Sequence, residues 1–524
     1  MGKRAAQGQA KRASKKGTSA PAAEASDVED LPGFKFERDE VTQIRSGLLA
    51  WYDAHHRILP WRRNPHSKLP AAAVAAAAAE GSHPAPADLP QNEFIYYVWV
   101  CEIMSQQTQV SRAAEYFRRW VAKWPTVQAL AEASQEEVNE LWAGLGYYRR
   151  ARYLLDGAKY IVGECGGRFP TTAKELQNIP GVGAYTSAAI ASIACGERSA
   201  VVDGNVIRVL ARLRTVSGDP RSAAMTKLWA DLAEALLDPE RPGDFNQAMM
   251  ELGATVCVPN SEPKCGECPA SASCAALRAV REHEAAGGEP GAAGAPRVTD
   301  YPTKVEKAEK REETVAVAVV QLLPPAGSSS TSGGGGGGTD LASSRFLLVQ
   351  RPAAGLLAGL WQFPLLQLGP EAADSPPRQQ QLMDKYLEAQ LGAPLRPAGS
   401  TAGAAGGGGL AVVERRPLGQ LVHVFSHIRM TMKVERIVLQ GELDTSARPA
   451  DEAAGRAALQ WVPGSEMQAK GLSSGVKKVY KLFTDSHAKA TSKQSITRFF
   501  KPAAAAAGSD TAADTAAADG RTRK

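Results

Sequence analysis

The sequence predicts two bodies of different class, an all-helical one followed by an α+β one, with low-complexity chain at both ends. Three features predict this. Apolar residues recur at helical spacing from Val41 to the run 245–257 (FNQAMMELGATVC). After Leu277 the composition turns to Gly, Ala, Pro and charge until about Glu313, as an interdomain linker does. Beyond it, 314–323 (TVAVAVVQLL) and 345–350 (RFLLVQ) carry the residues of β-strands, separated by a Gly/Ser loop at 327–339. The resulting divisions are a disordered basic tail 1–38, a helical body 39–280, a linker 281–312, a mixed body 313–483 and a disordered tail 484–524.

Composition bounds the partners. Lys plus Arg number 61 against 55 for Asp plus Glu, a net of +6, which neither requires nor excludes a polyanion, so local patches decide. The longest hydrophobic tract, 71–79, is nearly all Ala and too short to cross a bilayer, so a soluble monomer without a membrane role is expected. The seven cysteines are an odd set, with Cys257, Cys265, Cys268 and Cys274 packed together, which favours a metal site in a reducing compartment over a disulfide framework.

The first thirty residues hold GKR and KRASKK and no secretory core, so they serve either as a nuclear import signal or as a solvated tail. From Val41 a helical segment runs to LPWR (59–62), and the Ala/Pro-rich tract 64–91 reads as an inserted mobile loop. If 94–120 is one helix, Ile95, Trp99, Glu102 and Gln106 share a stripe. A carboxyl among large apolar side chains has its ionised form disfavoured, which suits it to general-acid work near neutral pH; the alternative is a Glu paired with an Arg or solvated at a helix end.

GLGYYRRAR (144–152) sets Tyr147 and Tyr148 beside Arg149, Arg150 and Arg152, a pattern for stacking on bases and gripping phosphates, or else a solvated basic helix start. Pro180-Gly181-Val182-Gly183 can make a tight hairpin with bare backbone N–H groups, a seat for phosphate, before a small-residue helix. Asp203 either caps the next helix or faces a ligand. The clustered cysteines are separated by seven, two and five residues, so four thiolates can converge on zinc or on an iron–sulfur cluster. In the second body, 421–439 reads as two strands joined through Phe425-Ser426-His427, whose aromatic, hydroxyl and imidazole suit a base edge or an ordinary turn. The Gly-rich tract 403–409 and the Ala-rich end from Ala503 are expected to be disordered.

Together the motifs LPW, EIMSQQTQV, GLGYYRRAR, PGVGAYT, VDGNVIRVLAR, FNQAMMELG and the cysteine set resemble the MutY family of adenine DNA glycosylases, in the helix-hairpin-helix superfamily that includes endonuclease III. The resemblance implies a helix-hairpin-helix glycosylase domain with one 4Fe-4S cluster on Cys257, Cys265, Cys268 and Cys274, linked to a Nudix-like domain. It implies removal of adenine mispaired with 8-oxoguanine or guanine in duplex DNA, the adenine leaving the stack because its glycosidic bond is inaccessible inside the helix. Glu102 would protonate the adenine ring and Asp203 would stabilise the oxocarbenium-like sugar, with Tyr185 and Asn205 beside it.

The same resemblance places Trp61, Arg62 and Gln247 around the extruded adenine, and Gln106, Gln107, Tyr147, Gly181 and Gly183 on the DNA. Bifunctional relatives carry a Lys where Tyr185 stands, so a monofunctional enzyme leaving an abasic site is implied. GLLAGLWQFP (355–364) supports the Nudix-like match, with Gln362 where relatives often have Glu, and the segment after Pro364 lacks the glutamate cluster that would hold magnesium. Recognition of 8-oxoguanine by Phe425, Ser426 and His427 is therefore implied, not hydrolysis. KQSITRFF (493–500) resembles a sliding-clamp-binding peptide, with Ile496, Phe499 and Phe500 as plugs. The expected location is the nucleus, with a mitochondrion or plastid as the alternative.

Overall fold

The computed structural model describes residues 34–305, 309–323, 341, 344–352, 355–397, 410–441, 443–451, 456–468 and 470–499. The basic cluster of the N-terminal tail, the Gly/Ser loop at 327–339, the tract 403–409 and the end from Ala503 lie outside them. The chain divides into two compact units, Met1–Ala133 with Arg152–Lys307, and Ser134–Ala151 with Ala308–Lys524. No composition shift marks the stretch 134–151 that groups with the second unit.

Helices α1 (Arg38–His55), α2 (Ala71–Ala79), α3 (Gln91–Ser105), α4 (Val110–Lys123) and α5 (Val127–Ala131) come first, followed by α6 (Gln135–Trp142), α7 (Arg149–Glu164) and α8 (Ala173–Leu176). Then come α9 (Ala184–Cys195), α10 (Gly204–Arg214), α11 (Ala223–Leu236), α12 (Pro242–Thr255) and α13 (Ala275–Ala285). One core of the first unit forms where the stripe Ile44, Leu48 and Tyr52 of α1 meets Leu210, Trp229, Leu236, Phe245 and Leu252. These side chains sit four apart on α1, one helical face. Arg45 from that helix donates to the carbonyls of Leu236 (2.9 Å) and Leu237 (2.6 Å), placing a cation on the open C-terminal end of α11.

Two expectations are corrected here. The stretch 94–120 is not one helix: α3 stops at Ser105, Gln106 turns out (φ −56, ψ 117) and Gln107 takes a left-handed conformation (φ 54) before α4 starts. Ile95, Trp99 and Glu102 share the buried stripe, and Gln106 leaves it. The tract 64–91 is also not a simple loop, because its Ala run forms α2, Ala being the strongest helix former. Its flanks are tied down by Lys68 N–H to Asp53 O (2.7 Å), Ala85 N–H to Arg62 O (3.0 Å) and Arg63 Nη2 to Leu89 O (2.9 Å).

In the second unit, β1 (Arg311–Leu322) runs parallel to β7 (Ile428–Gln440) over its whole length and antiparallel to β2 (Arg345–Gln350) and β4 (Leu365–Gln367). The sheet order is β3 (Trp361–Gln362), β2, β1, β7, β6 (Leu410–Val424) and β5 (Leu395–Pro397), with β8 (Leu459–Pro463) on β2. Both faces are buried. Ala316, Ala318 and Val320 point to a core shared with Ala372 of the short α14 (Pro370–Ala373) and with Met383 and Leu387 of α15 (Pro376–Leu391). Val315, Val317 and Val319 point the other way, to Val479 and Phe483 of α16 (Ser474–Phe499). This is why β1 reads as an unbroken apolar run and not as an alternating one. Helix α16 runs on to Phe499, so 484–499, expected to be disordered, is helical.

Within the first unit, α12 crosses α10 at Gly253. A Cβ there would stand 2.7 Å from Asn205 Cβ and 2.9 Å from its carbonyl oxygen, against backbone that cannot swing aside. Helix propensity alone would make Gly253→Ala stabilising by about 1 kcal/mol, but overpacking at such a contact costs roughly 1–3 kcal/mol and is expected to win. Chemical denaturation should show a lower midpoint for that variant at unchanged slope.

Candidate active site

Glu102 lies in the last turn of α3, 9 % exposed, flanked along the helix by buried Trp99, Ile103 and Met104. Burial pushes its carboxyl up to about 7. The Tyr185 hydroxyl, donating to Oε2 at 2.9 Å, pulls the other way, Asp203 adds to the rise, and Arg62 opposes it. The Cys101 thiol stands 3.9 Å from Oε1. Burial also pushes Tyr185 upward, with Glu102 and Asp203 adding to it, so the phenol stays a donor. Tyr185 sits in the first turn of α9, immediately after the hairpin 180–183.

That hairpin is as the sequence implied. Gly181 takes φ +80, and a Cβ on it would overlap Tyr153 at 2.4 Å, so no other residue fits. Gly181 and Gly183 are exposed, and Gly183 is the N-cap of α9, whose first N–H groups carry the positive end of the helix dipole.

Asp203 caps α10 and stands in the site as well. Its Oδ1 accepts from the backbone N–H of Asn205 and of Val206, each at 2.8 Å, and its Oδ2 accepts from Asn205 Nδ2 at 2.7 Å. Asn205 is oriented in turn by Arg208, whose Nη2 donates to Asn205 Oδ1 (2.9 Å) while its Nε reaches the carbonyl of Cys257 (2.7 Å).

The three residues expected at the base are buried, and Arg62 acts electrostatically on Glu102. Trp61 is buried, edge-on to Phe117 with ring centroids 5.2 Å apart. Arg62 is buried and donates from Nε to Gln247 Oε1 (3.2 Å), from Nη1 to Arg57 O (2.9 Å) and from Nη2 to Glu251 Oε2 (3.1 Å). Glu251, Arg57, Arg208 and Cys101 were missed by sequence reasoning. The spacing of Gln247 and Glu251, one turn apart on α12, was the available signal for Glu251.

Of the DNA-facing candidates, Gln107 and Tyr147 both take positive φ, 54 and 48. Tyr147 is 50 % exposed, its ring under Arg150 at 5.4 Å, in the unit that also carries the sheet.

The four clustered cysteines carry no disulfide. Cys265, Cys268 and Cys274 act on one another electrostatically, and burial is the main cause that raises all three thiols, Cys268 to about 12. Arg212, fully buried, donates to Cys257 Sγ (3.1 Å) and to Val258 O (3.0 Å). Four thiols are the kind of donor that a soft metal takes once they ionise. Among the described residues, no group of three or more His, Cys, Asp or Glu is arranged to hold a metal ion.

In the second unit the triplet splits. Phe425 turns into the cavity lined by Arg351, Gln362, Phe363, Met430 and Met432, its ring 4.5 Å from that of His423. Ser426 and His427 are exposed at the β6–β7 turn, Oγ and Nδ1 3.0 Å apart. Ile496 and Phe499 fall in the last turns of α16, and Phe500 lies outside the described residues.

The helical unit sets a glycine hairpin at the start of α9 and, through the Tyr185 that follows it, the buried acid Glu102. Residues 100–234 match the HhH-GPD superfamily of base excision DNA repair proteins, and 341–482 match the NUDIX domain. The adenine DNA glycosylase of Arabidopsis thaliana is 39 % identical over 476 residues, covering 86 % of this chain and 65 % of that protein. Those of Homo sapiens and Mus musculus are 38 % and 37 % identical, covering 85 % and 87 % of this chain and 74 % and 80 % of theirs. The chain belongs to the adenine DNA glycosylase family.

The Tyr185 bond makes a testable demand. A general acid with a pKa of about 7 is protonated below that pH and lost above it, so turnover should fall as pH rises through 7. Tyr185→Phe removes a donor that favours the carboxylate, so the alkaline limb of its single-turnover pH–rate profile should move to higher pH.

Proposed function

We propose that this chain is a monofunctional glycosylase that hydrolyses the N-glycosidic bond of adenine opposite 8-oxoguanine, or opposite guanine, in duplex DNA. The observation that carries the reading is a proton held by Glu102 near neutral pH beside an Asp203 that bears several donors and caps a helix. Glu102 gives its proton to a ring nitrogen of adenine, the C1′–N9 bond breaks with its electron pair leaving on the base, and Asp203 stabilises the cationic sugar until water adds. With Tyr185 where a Schiff-base lysine would be required, no strand cleavage follows. Gly181, Gly183 and the α9 N-terminus bind a phosphate, and Gln106, Gln107 and Tyr147 fill the stack.

Cys257, Cys265, Cys268 and Cys274 would hold one 4Fe-4S cluster, which when bound fixes the loop that Arg208 and Arg212 join to α10. Ser426 and His427 read the oxidised guanine while Phe425 anchors the turn. Ile496, Phe499 and Phe500 dock on the sliding clamp, a reading that rests on the peptide's sequence alone.

The test is single-turnover excision on duplexes with adenine opposite 8-oxoguanine, guanine or thymine. Adenine release is expected in the first two, with a loss of at least about a hundredfold in Glu102→Gln. Release of another base would indicate a different glycosylase of the superfamily, and binding without release a mismatch-binding adaptor.

The lesion-reading assignment makes its own demand. Ser426→Ala with His427→Ala should reduce the preference for 8-oxoguanine over guanine by roughly tenfold, the worth of one or two hydrogen bonds, with turnover on adenine opposite guanine preserved. Equal loss on both substrates would remove the assignment.

A further inference from the structure

One charged cluster in the helical unit is not used by the chemistry above. Glu251 is 1 % exposed, and each of its oxygens is held by arginine: Oε1 by the N–H (3.1 Å) and Nε (2.6 Å) of Arg57, Oε2 by Arg57 Nη2 (3.0 Å) and Arg62 Nη2 (3.1 Å). Burial would raise this carboxyl, but Arg62 and Arg57 outweigh it and hold it down at about 2, so it is an anion at any working pH. A buried anion among apolar helices is costly unless both partners stay in place, which makes the cluster rigid.

We propose that Glu251 is a positioning residue that fixes the geometry and the field of the base pocket through Arg62, with Arg57 as its counter-ion. Two consequences follow from the bonds. First, Arg62, locked by Glu251 and by the Arg57 carbonyl, donates from Nε to Gln247 Oε1. That choice of acceptor turns the amide so that its NH₂ end is the one left for a ligand, a donor suited to the ring-nitrogen acceptors of a purine. Second, Arg62 lowers the proton affinity of Glu102, and the charge it presents there is partly neutralised by Glu251. The other groups facing Glu102 are Cys101 on its own helix, Tyr185 from α9 and Asp203 at the start of α10.

This inference rests on the adenine-excision reading and deepens it. Its test is the pH dependence of single-turnover excision in two variants with opposite charge changes. Glu251→Gln leaves the arginines uncompensated, which favours ionised Glu102, so the alkaline limb should move to lower pH by about one unit. The rate constant on its plateau should drop roughly tenfold to a hundredfold as Arg62 and Gln247 lose their setting.

Arg57→Gln leaves the anion in excess, and the limb should move to higher pH. Arg57 has a side chain 40 % exposed, so this variant should fold even if Glu251→Gln does not, and it then carries the test alone. A single-turnover rate constant is blind to lost active fraction, so a merely structural role would move neither limb. Limbs that stay put, or move in the same direction, would overturn the proposal. Titration of the Glu102 carboxyl by difference infrared spectroscopy reads the same shifts without turnover, so failure of wild type on adenine would count against the activity and not against the positioning role.

Discussion

The carboxyl of Glu102 must be dry enough to keep a proton and still be reachable by a base, and the local structure is arranged around that constraint. Burial supplies the dryness, because α3 carries Trp99, Ile103 and Met104 beside it. Access comes from the end of the helix: three residues after Glu102 the chain leaves α3, and Gln107 takes a backbone conformation that no helix allows. Had α3 run into α4, the carboxyl would lie in mid-helix under another turn of side chains. The small residues of α9 serve the same end, since Ala188 and Ala189 let that helix pack closely and bring Tyr185 within 2.9 Å of the acid.

Much of this was legible in the sequence, for reasons that can be stated residue by residue. The hairpin was readable because Gly181 and Gly183 at that spacing serve turns, and the buried stripe because Ile95, Trp99 and Glu102 repeat at helical intervals. The two-sided burial of β1 was visible as its unbroken apolar run. The end of α3 was not legible: SQQTQ contains no Gly or Pro, so nothing local announces a left-handed Gln107. The helix in the tract 64–91 was obscured because Ala-rich sequence serves loops and helices alike, and only long-range bonds such as Lys68 to Asp53 decide between them. The grouping of 134–151 with the sheet unit was invisible for the same reason, since it depends on contacts distant in sequence, such as Lys470 with Glu136 (2.5 Å).

The sheet unit keeps its packing apart from its polar groups. Its cores lie on both faces of β1 and β7 and need none of the polar residues at the mouth of the cavity. Gln362 accepts from Arg351 Nη1 at 2.7 Å. At the β6–β7 turn Phe425 packs inward and the two residues after it face solvent. Such a division sets a polar tip on a packed base.

Three carboxylates in the helical unit sit in three settings that differ in the number and kind of their donors. Glu102 receives a single neutral hydroxyl and a weak thiol, too little to offset burial, and holds its proton up to about 7. Asp203 receives two backbone N–H groups and an amide at a helix N-terminus, a set of neutral donors only. Glu251 receives two guanidinium groups, and its charge is spent locally. The third setting protects the first. An arginine as close as Arg62 would otherwise draw the proton from Glu102, and by occupying Arg62 the buried anion lets a cation stand at the base pocket while the acid beside it stays protonated.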